Sequence, residues 1–128
     1  MKLQKYLLSA FTLMLATVAS AATSIVTIDS LKYKIDTKNN EAMVMEDDYS
    51  SYKTITIPSS ISYKGKDYPV TSLEEWCFWN CDSLTSIELP SSIKSLGSLC
   101  FYGCKSLTSI NIPSSVTSLG EYCFSDCN

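Results

Sequence analysis

Histidine is absent from the 128 residues, and so is arginine, because all ten basic residues are lysines. Without histidine the chain lacks the usual general base for a serine or cysteine nucleophile and the commonest metal ligand. Catalysis would fall to paired carboxylates or to lysine, and no such pair converges in the sequence. A hydrolytic enzyme is therefore the last reading to consider. The lack of arginine, together with a formal net charge of −3, denies the chain the basic surface that neutralises phosphate. Nucleic acid and an anionic membrane surface are both poor partners. Nor is there a long apolar run: the one at residues 6–18 falls short of the roughly 20 residues a membrane span requires.

That run is read instead as the apolar part of a signal peptide. Lys2 and Lys5 precede it, and Ala19-Ser20-Ala21 fits a small-residue cleavage site. The expectation is a signal peptide at residues 1–21, export, and a mature chain beginning at Ala22 without a membrane span. No cysteine follows the cleavage site, which argues against a lipid anchor. Losing Lys2 and Lys5 moves the net charge from −3 to −5. The remaining length suits one domain.

What the sequence has in abundance is internal repetition. Leu84 opens L-T-S-I-E-L-P-S-S-I-K-S-L-G-S-L-C-F-Y-G-C-K-S, and Leu107 opens L-T-S-I-N-I-P-S-S-V-T-S-L-G-E-Y-C-F-S-D-C-N. The two are offset by 23 residues, the distance from Leu84 to Leu107, with apolar residues, proline, glycine and cysteine in register. A third copy starts at Thr54 and resumes at Val70, interrupted by an insertion near 62–69. Leu84, Ile87 and Leu89 have the L-x-x-L-x-L spacing of a leucine-rich repeat, in which a short strand alternates sides. Pro90 ends that strand because it has no N–H to donate. Ile93 and Leu96 turn inward on the return path, Gly97 supports a bend, and Phe101 and Cys104 fill the core. One coil cannot bury its own apolar face, and stacked coils can.

The pattern I-x-I-P-S-S-[IV]-x-S-[IL]-G-x-x-x-F-x-x-C-x-S-L-x-x-I resembles the BspA-like leucine-rich repeats of bacterial and protozoal surface proteins. The resemblance covers residues 54–128. It implies an α/β-type repeat solenoid, mostly β and right-handed, and a secreted or cell-surface protein that serves adhesion or protein recognition. Residues 22–53 resemble the β-hairpin cap that precedes such arrays, with alternating runs on either side of a turn at 36–40. The stretch S-Y-K-G-K-D-Y-P-V resembles the lysine-and-glycine turn that interrupts a first repeat. Two features depart from the family. Cys77, Cys100 and Cys123 stand where a small residue such as alanine is usual, and the array is expected to end at Asn128 without a C-terminal cap. An uncapped end would leave room for self-association.

Three groups of residues are candidates for chemistry or binding. The six cysteines form three C-x-x-x-C pairs, Cys77/Cys81, Cys100/Cys104 and Cys123/Cys127. They can be columns of buried thiols, disulfides within each repeat, or a structural zinc site, and spacing alone does not choose. The outward positions of the strand face are Thr54, Thr56, Ser86, Glu88, Ser109 and Asn111. They are small and polar, and they serve either as a recognition surface or as the solvated side of a sheet. Trp76 aligns with Leu99 and Tyr122, and Trp79 with Tyr102 and Ser125, in columns that the family pattern leaves variable. Trp76, Trp79, Tyr102 and Tyr122 are thus either an exposed aromatic stripe or rings laid flat over the coil edges. Hot spots favour aromatic anchors. Glu46, Asp47 and Asp48 read as a solvated hairpin end, because they lack the spaced ligands and glycine of a calcium loop.

The expected function is protein recognition or adhesion without catalysis or cofactor. The partner would be a protein ligand, either a host extracellular protein or another surface protein. A carbohydrate-binding module using the aromatic stripe is the second reading, and a structural fragment of a longer repeat protein the third.

Overall fold

A computed structural model describes residues 22–127, so the expected signal peptide and its cleavage site lie outside the described residues. Nine strands follow in chain order: β1 Thr23–Ile28, β2 Leu31–Asp36, β3 Glu41–Val44, β4 Thr54–Thr56, β5 Ser60–Tyr63, β6 Lys66–Leu73, β7 Ser86–Glu88, β8 Ser95–Leu96 and β9 Ser118–Leu119. Among the described residues there is no helix, and hence none long and apolar enough to cross a membrane. The mostly-β solenoid is as expected, and the stretches opposite the strands are runs of turns.

The coils stack through two parallel ladders. In one, β4 pairs with β7, with Ile55 opposite Ile87. In the other, β6, β8 and β9 follow one another, placing Leu73, Leu96 and Leu119 in one column. The hairpin expected around residues 36–40 is β2–β3. Its turn is held by Asp36, whose Oδ1 accepts the N–H groups of Lys38 and Asn39 at 2.9 Å. Ahead of it stands a further strand, β1, joined to β2 by Asp29 and Ser30. Both have positive φ (49° and 72°), the geometry of a two-residue hairpin turn. The insertion forms a third hairpin, β5–β6, whose turn residues Lys64 and Gly65 also have positive φ.

The N-terminal strands close the solenoid by imitating a coil. β3 runs parallel to β6, with Val44 opposite Leu73, so the second ladder begins in the cap. Tyr49 occupies the place of the repeat phenylalanine. Its ring lies 5.1 Å from Phe78, which stacks on Phe101 at 5.5 Å, which stacks on Phe124 at 5.4 Å. These rings form the spine of the core. The Tyr49 hydroxyl accepts the N–H of Lys32 and donates to the carbonyl of Met45, two backbone groups at the closed end. Burial raises the pKa of this phenol, and that of Tyr33 to about 12.

Glycine has a different role from the expected bend. A Cβ at Gly97 would fall 2.4 Å from the nitrogen of Glu75, and one at Gly120 would fall 2.1 Å from the nitrogen of Ser98. The missing side chain lets consecutive coils touch. Glu74 holds the equivalent position in the first coil, where the neighbour is the cap, and its carboxylate accepts the N–H of Glu46 at 2.8 Å.

Candidate functional site

The three C-x-x-x-C segments lie in the turns opposite the strands. Their backbones are bonded coil to coil: the N–H groups of Trp76, Phe78 and Asn80 donate to the carbonyls of Ser98, Cys100 and Tyr102 at 2.7–3.0 Å. Each turn has two residues with positive φ, Trp76 and Asn80 in the first, Leu99 and Gly103 in the second, Tyr122 and Asp126 in the third. Between them the chain turns the first cysteine and the phenylalanine inward, and the second cysteine turns inward directly after them. This explains why the Trp76 column tolerates large side chains: left-handed backbone at that position aims the side chain away from the core.

All six cysteines are free thiols, and all but Cys127 are buried. They meet along columns rather than within repeats. Cys104 donates to the carbonyl of Phe78 at 2.9 Å and Cys127 to that of Phe101 at 2.8 Å, while Cys77 reaches the carbonyl of Val44 in the cap at 3.6 Å. Cys100 contacts Cys123, and Cys81 contacts Cys104. Burial pushes the Cys100 thiol far above its ordinary range. Between Cys81 and Cys104, the shared hydrogen bond lowers the former and raises the latter, which therefore keeps its proton. These thiols pack and bond the coils together. Among the described residues, no group of three Cys, Asp or Glu is arranged to hold a metal ion.

The strand face is exposed at all six expected positions, Thr54, Thr56, Ser86, Glu88, Ser109 and Asn111. One correction concerns its third rung. Residues 109–111 form no strand, so Ser109 and Asn111 do not extend the β4–β7 ladder. Three residues have little intrinsic strand stability, and this coil has a described neighbour on one side only.

Of the four aromatic candidates, the structure brings three together. Trp76 meets Trp79 edge to face, with centroids 5.5 Å apart at 84°, and meets Tyr102 at 6.5 Å and 64°. Both indoles remain open to solvent, 37% for Trp76 and 43% for Trp79. Tyr122 is more exposed still, at 67%, but stands in the last coil outside this chain of ring contacts. Glu46 was not expected here. Its carboxylate accepts the indole N–H of Trp79 at 3.1 Å and fixes that ring. Sequence reasoning placed Glu46, Asp47 and Asp48 at a solvated hairpin end, and they are exposed. Yet they also wall a cavity of about 310 Å³ shared with Tyr49, Trp79 and Cys81. The contact joins residues 33 apart, and no local signal announces it.

A model of the BspA type leucine rich repeat region matches residues 48–128 in six copies. Solved structures of similar fold include a leucine rich cell surface protein from Faecalibacterium prausnitzii, 28% identical with a TM-score of 0.70. It is joined by a leucine rich repeat protein of T. pallidum (21%, TM-score 0.67) and one from Bacteroides ovatus (24%, TM-score 0.67). About four-fifths of this chain is covered in each case (79%, 80% and 80%), whereas it spans only 27%, 46% and 33% of those proteins. No curated protein is significantly similar to the chain.

Proposed function

Because the chain belongs to the BspA-type leucine-rich-repeat family, a family of repeat scaffolds suited to protein interaction, we propose that it is an exported recognition or adhesion module. It acts without catalysis, secreted or at the cell surface, and grips a protein partner through Trp76, Trp79 and Tyr102. The observation that carries this reading is the ring cluster itself. Two tryptophans sit side by side and half exposed on turns whose backbone is bonded to the neighbouring coil. Rigid aromatic rings of this kind are what hot spots are made of. The strand face has only small hydroxyls and Glu88 to offer, and such groups contribute little binding energy. The cell-surface description of the F. prausnitzii protein and the apolar run at residues 6–18 both favour an exported location.

The test is selection of random displayed peptides on the full chain, repeated on Trp76→Gly/Trp79→Ser. Glycine suits the positive φ of residue 76, 64°, so the double variant keeps its fold. Selected peptides should lose binding to it. Peptides that bind both proteins equally would move the site to the strand face. Export is checked by intact mass of the secreted chain, which should begin at Ala22; full-length protein outside the cell would count against cleavage there.

A further inference from the structure

We propose that the aromatic corner recognises a cationic side chain, a lysine or arginine presented by an extended segment of the partner; this rests on the aromatic face being the recognition surface. Carboxylates gather beside the tryptophans. Residues 43–52 and 72–84, the two stretches that flank the cluster, contain six carboxylates and no lysine. Glu46 touches Trp79 directly, Glu74 holds the backbone of Glu46, and Asp47 and Asp48 line the cavity beside the indole. Hydrogen bonds from the Ser50 hydroxyl and N–H keep the Asp48 carboxyl below its usual range, and therefore ionised.

The geometry suits a cation better than a neutral guest. Trp76 and Trp79 meet nearly at right angles, so their faces form a corner rather than one flat platform. A cation over an indole face is attracted by the ring quadrupole, most strongly for tryptophan. The carboxylate that accepts the Trp79 N–H adds electron density to the same ring. Beside it, the cavity of about 310 Å³ has room for a long side chain and counts three acids among its lining residues. A lysine or arginine stem would lie along Trp79 while its head meets the carboxylates. A partner segment carrying acids would meet only repulsion there.

Both tryptophans of the chain belong to this corner, so their fluorescence reports binding at the site and nowhere else. The full chain is titrated with short capped peptides of alternating glycine and lysine, glycine and glutamate, and glycine and tyrosine. The lysine peptide should give a saturable change that weakens with salt, and the glutamate peptide should give none. Glu46→Gln/Asp47→Asn/Asp48→Asn keeps the acceptor oxygens that bond Trp79, Asp48 and Ser50 and removes only charge. It should weaken the lysine peptide by about tenfold. Equal responses to the lysine and glutamate peptides would overturn the inference, as would undiminished lysine binding by the amide variant. A response to the tyrosine peptide alone would also overturn it, while leaving recognition through the aromatic face intact. No response to any of the three would overturn it too, with the displayed-peptide selection then judging the aromatic face.

Discussion

The middle coil and the last described coil of the solenoid carry nearly the same residue types in the same columns, and they differ in what lies next to them. In the middle, Leu96 is 2% exposed between Leu73 and Leu119. One coil later Leu119, at the same repeat position, is 55% exposed. Phe78 and Phe101 are fully buried, whereas Phe124 is only partly so. Ile110 and Val116 have likewise moved from core to border, where Ile87 and Ile93 one coil earlier are buried. At the other end the cap continues each column with a residue of its own: Val44 for the leucine, Tyr49 for the phenylalanine, the Val44 carbonyl for the thiol. Burial here is a property of neighbours, as expected where stability is a sum of coil and interface terms.

Paired substitutions along one column test that statement most severely. Phe101→Ala removes a ring sandwiched between two others and should destabilise by roughly 3–5 kcal/mol. Phe124→Ala should cost well under half as much, because its ring has one stacking neighbour and is partly solvated. Equal shifts in urea midpoint would mean that the last coil is held as firmly as the middle one.

Adding a methyl probes the same contrast from the opposite direction. Gly97→Ala drives a Cβ into backbone on a coil fixed from both sides and should cost about 1–3 kcal/mol. Gly120→Ala makes a still closer contact, yet its coil has a described neighbour on one side only, so its thermal midpoint should fall less. A larger loss at residue 120 would reverse the ranking of the two ends.

Hydrogen exchange reads the difference without mutation. Amides of residues 107–127 should exchange about tenfold faster than those of 84–106, as an end that opens locally does. If copies of the chain cover that end by associating, protection there will rise with concentration and sedimentation will show a dimer. A monomer with uniform protection would contradict both outcomes. The smallest effect is expected on the strand face. Ser109→Ala, exposed and outside any strand, should stay within about 0.5 kcal/mol; a loss of 2 kcal/mol or more, the size of a core truncation, would show that residue 109 packs where it now appears solvated.

The repeat itself was legible from residue order, because its signals are local and recur. Leucine and isoleucine at fixed spacing, proline after the strand, and Lys64-Gly65 as a turn each depend on a few neighbouring residues. The columns of Trp76/Tyr122 and Trp79/Tyr102 followed from alignment alone, as did the outward positions Thr54, Thr56, Ser86 and Glu88. The Asp29-Ser30 turn was missed because neither residue is glycine and only one extra polar residue interrupts the alternation there. Gly97 was recognised as needed but for the wrong cause, because the close approach it permits is to another coil.

Residue order by itself therefore determined the coil: its length, its inward and outward sides, and the family to which it belongs. Only the tertiary structure decided which coils are complete. A strand of two or three residues has no stability alone, so nearly the same sequence, Ser-Ile-Glu and Ser-Ile-Asn, gives a ladder rung at Ser86–Glu88 and none at 109–111. The same holds for the candidate site. Trp79 was visible as an exposed aromatic, but the carboxylate that orients it comes from the cap, brought alongside when β3 joins the ladder at β6.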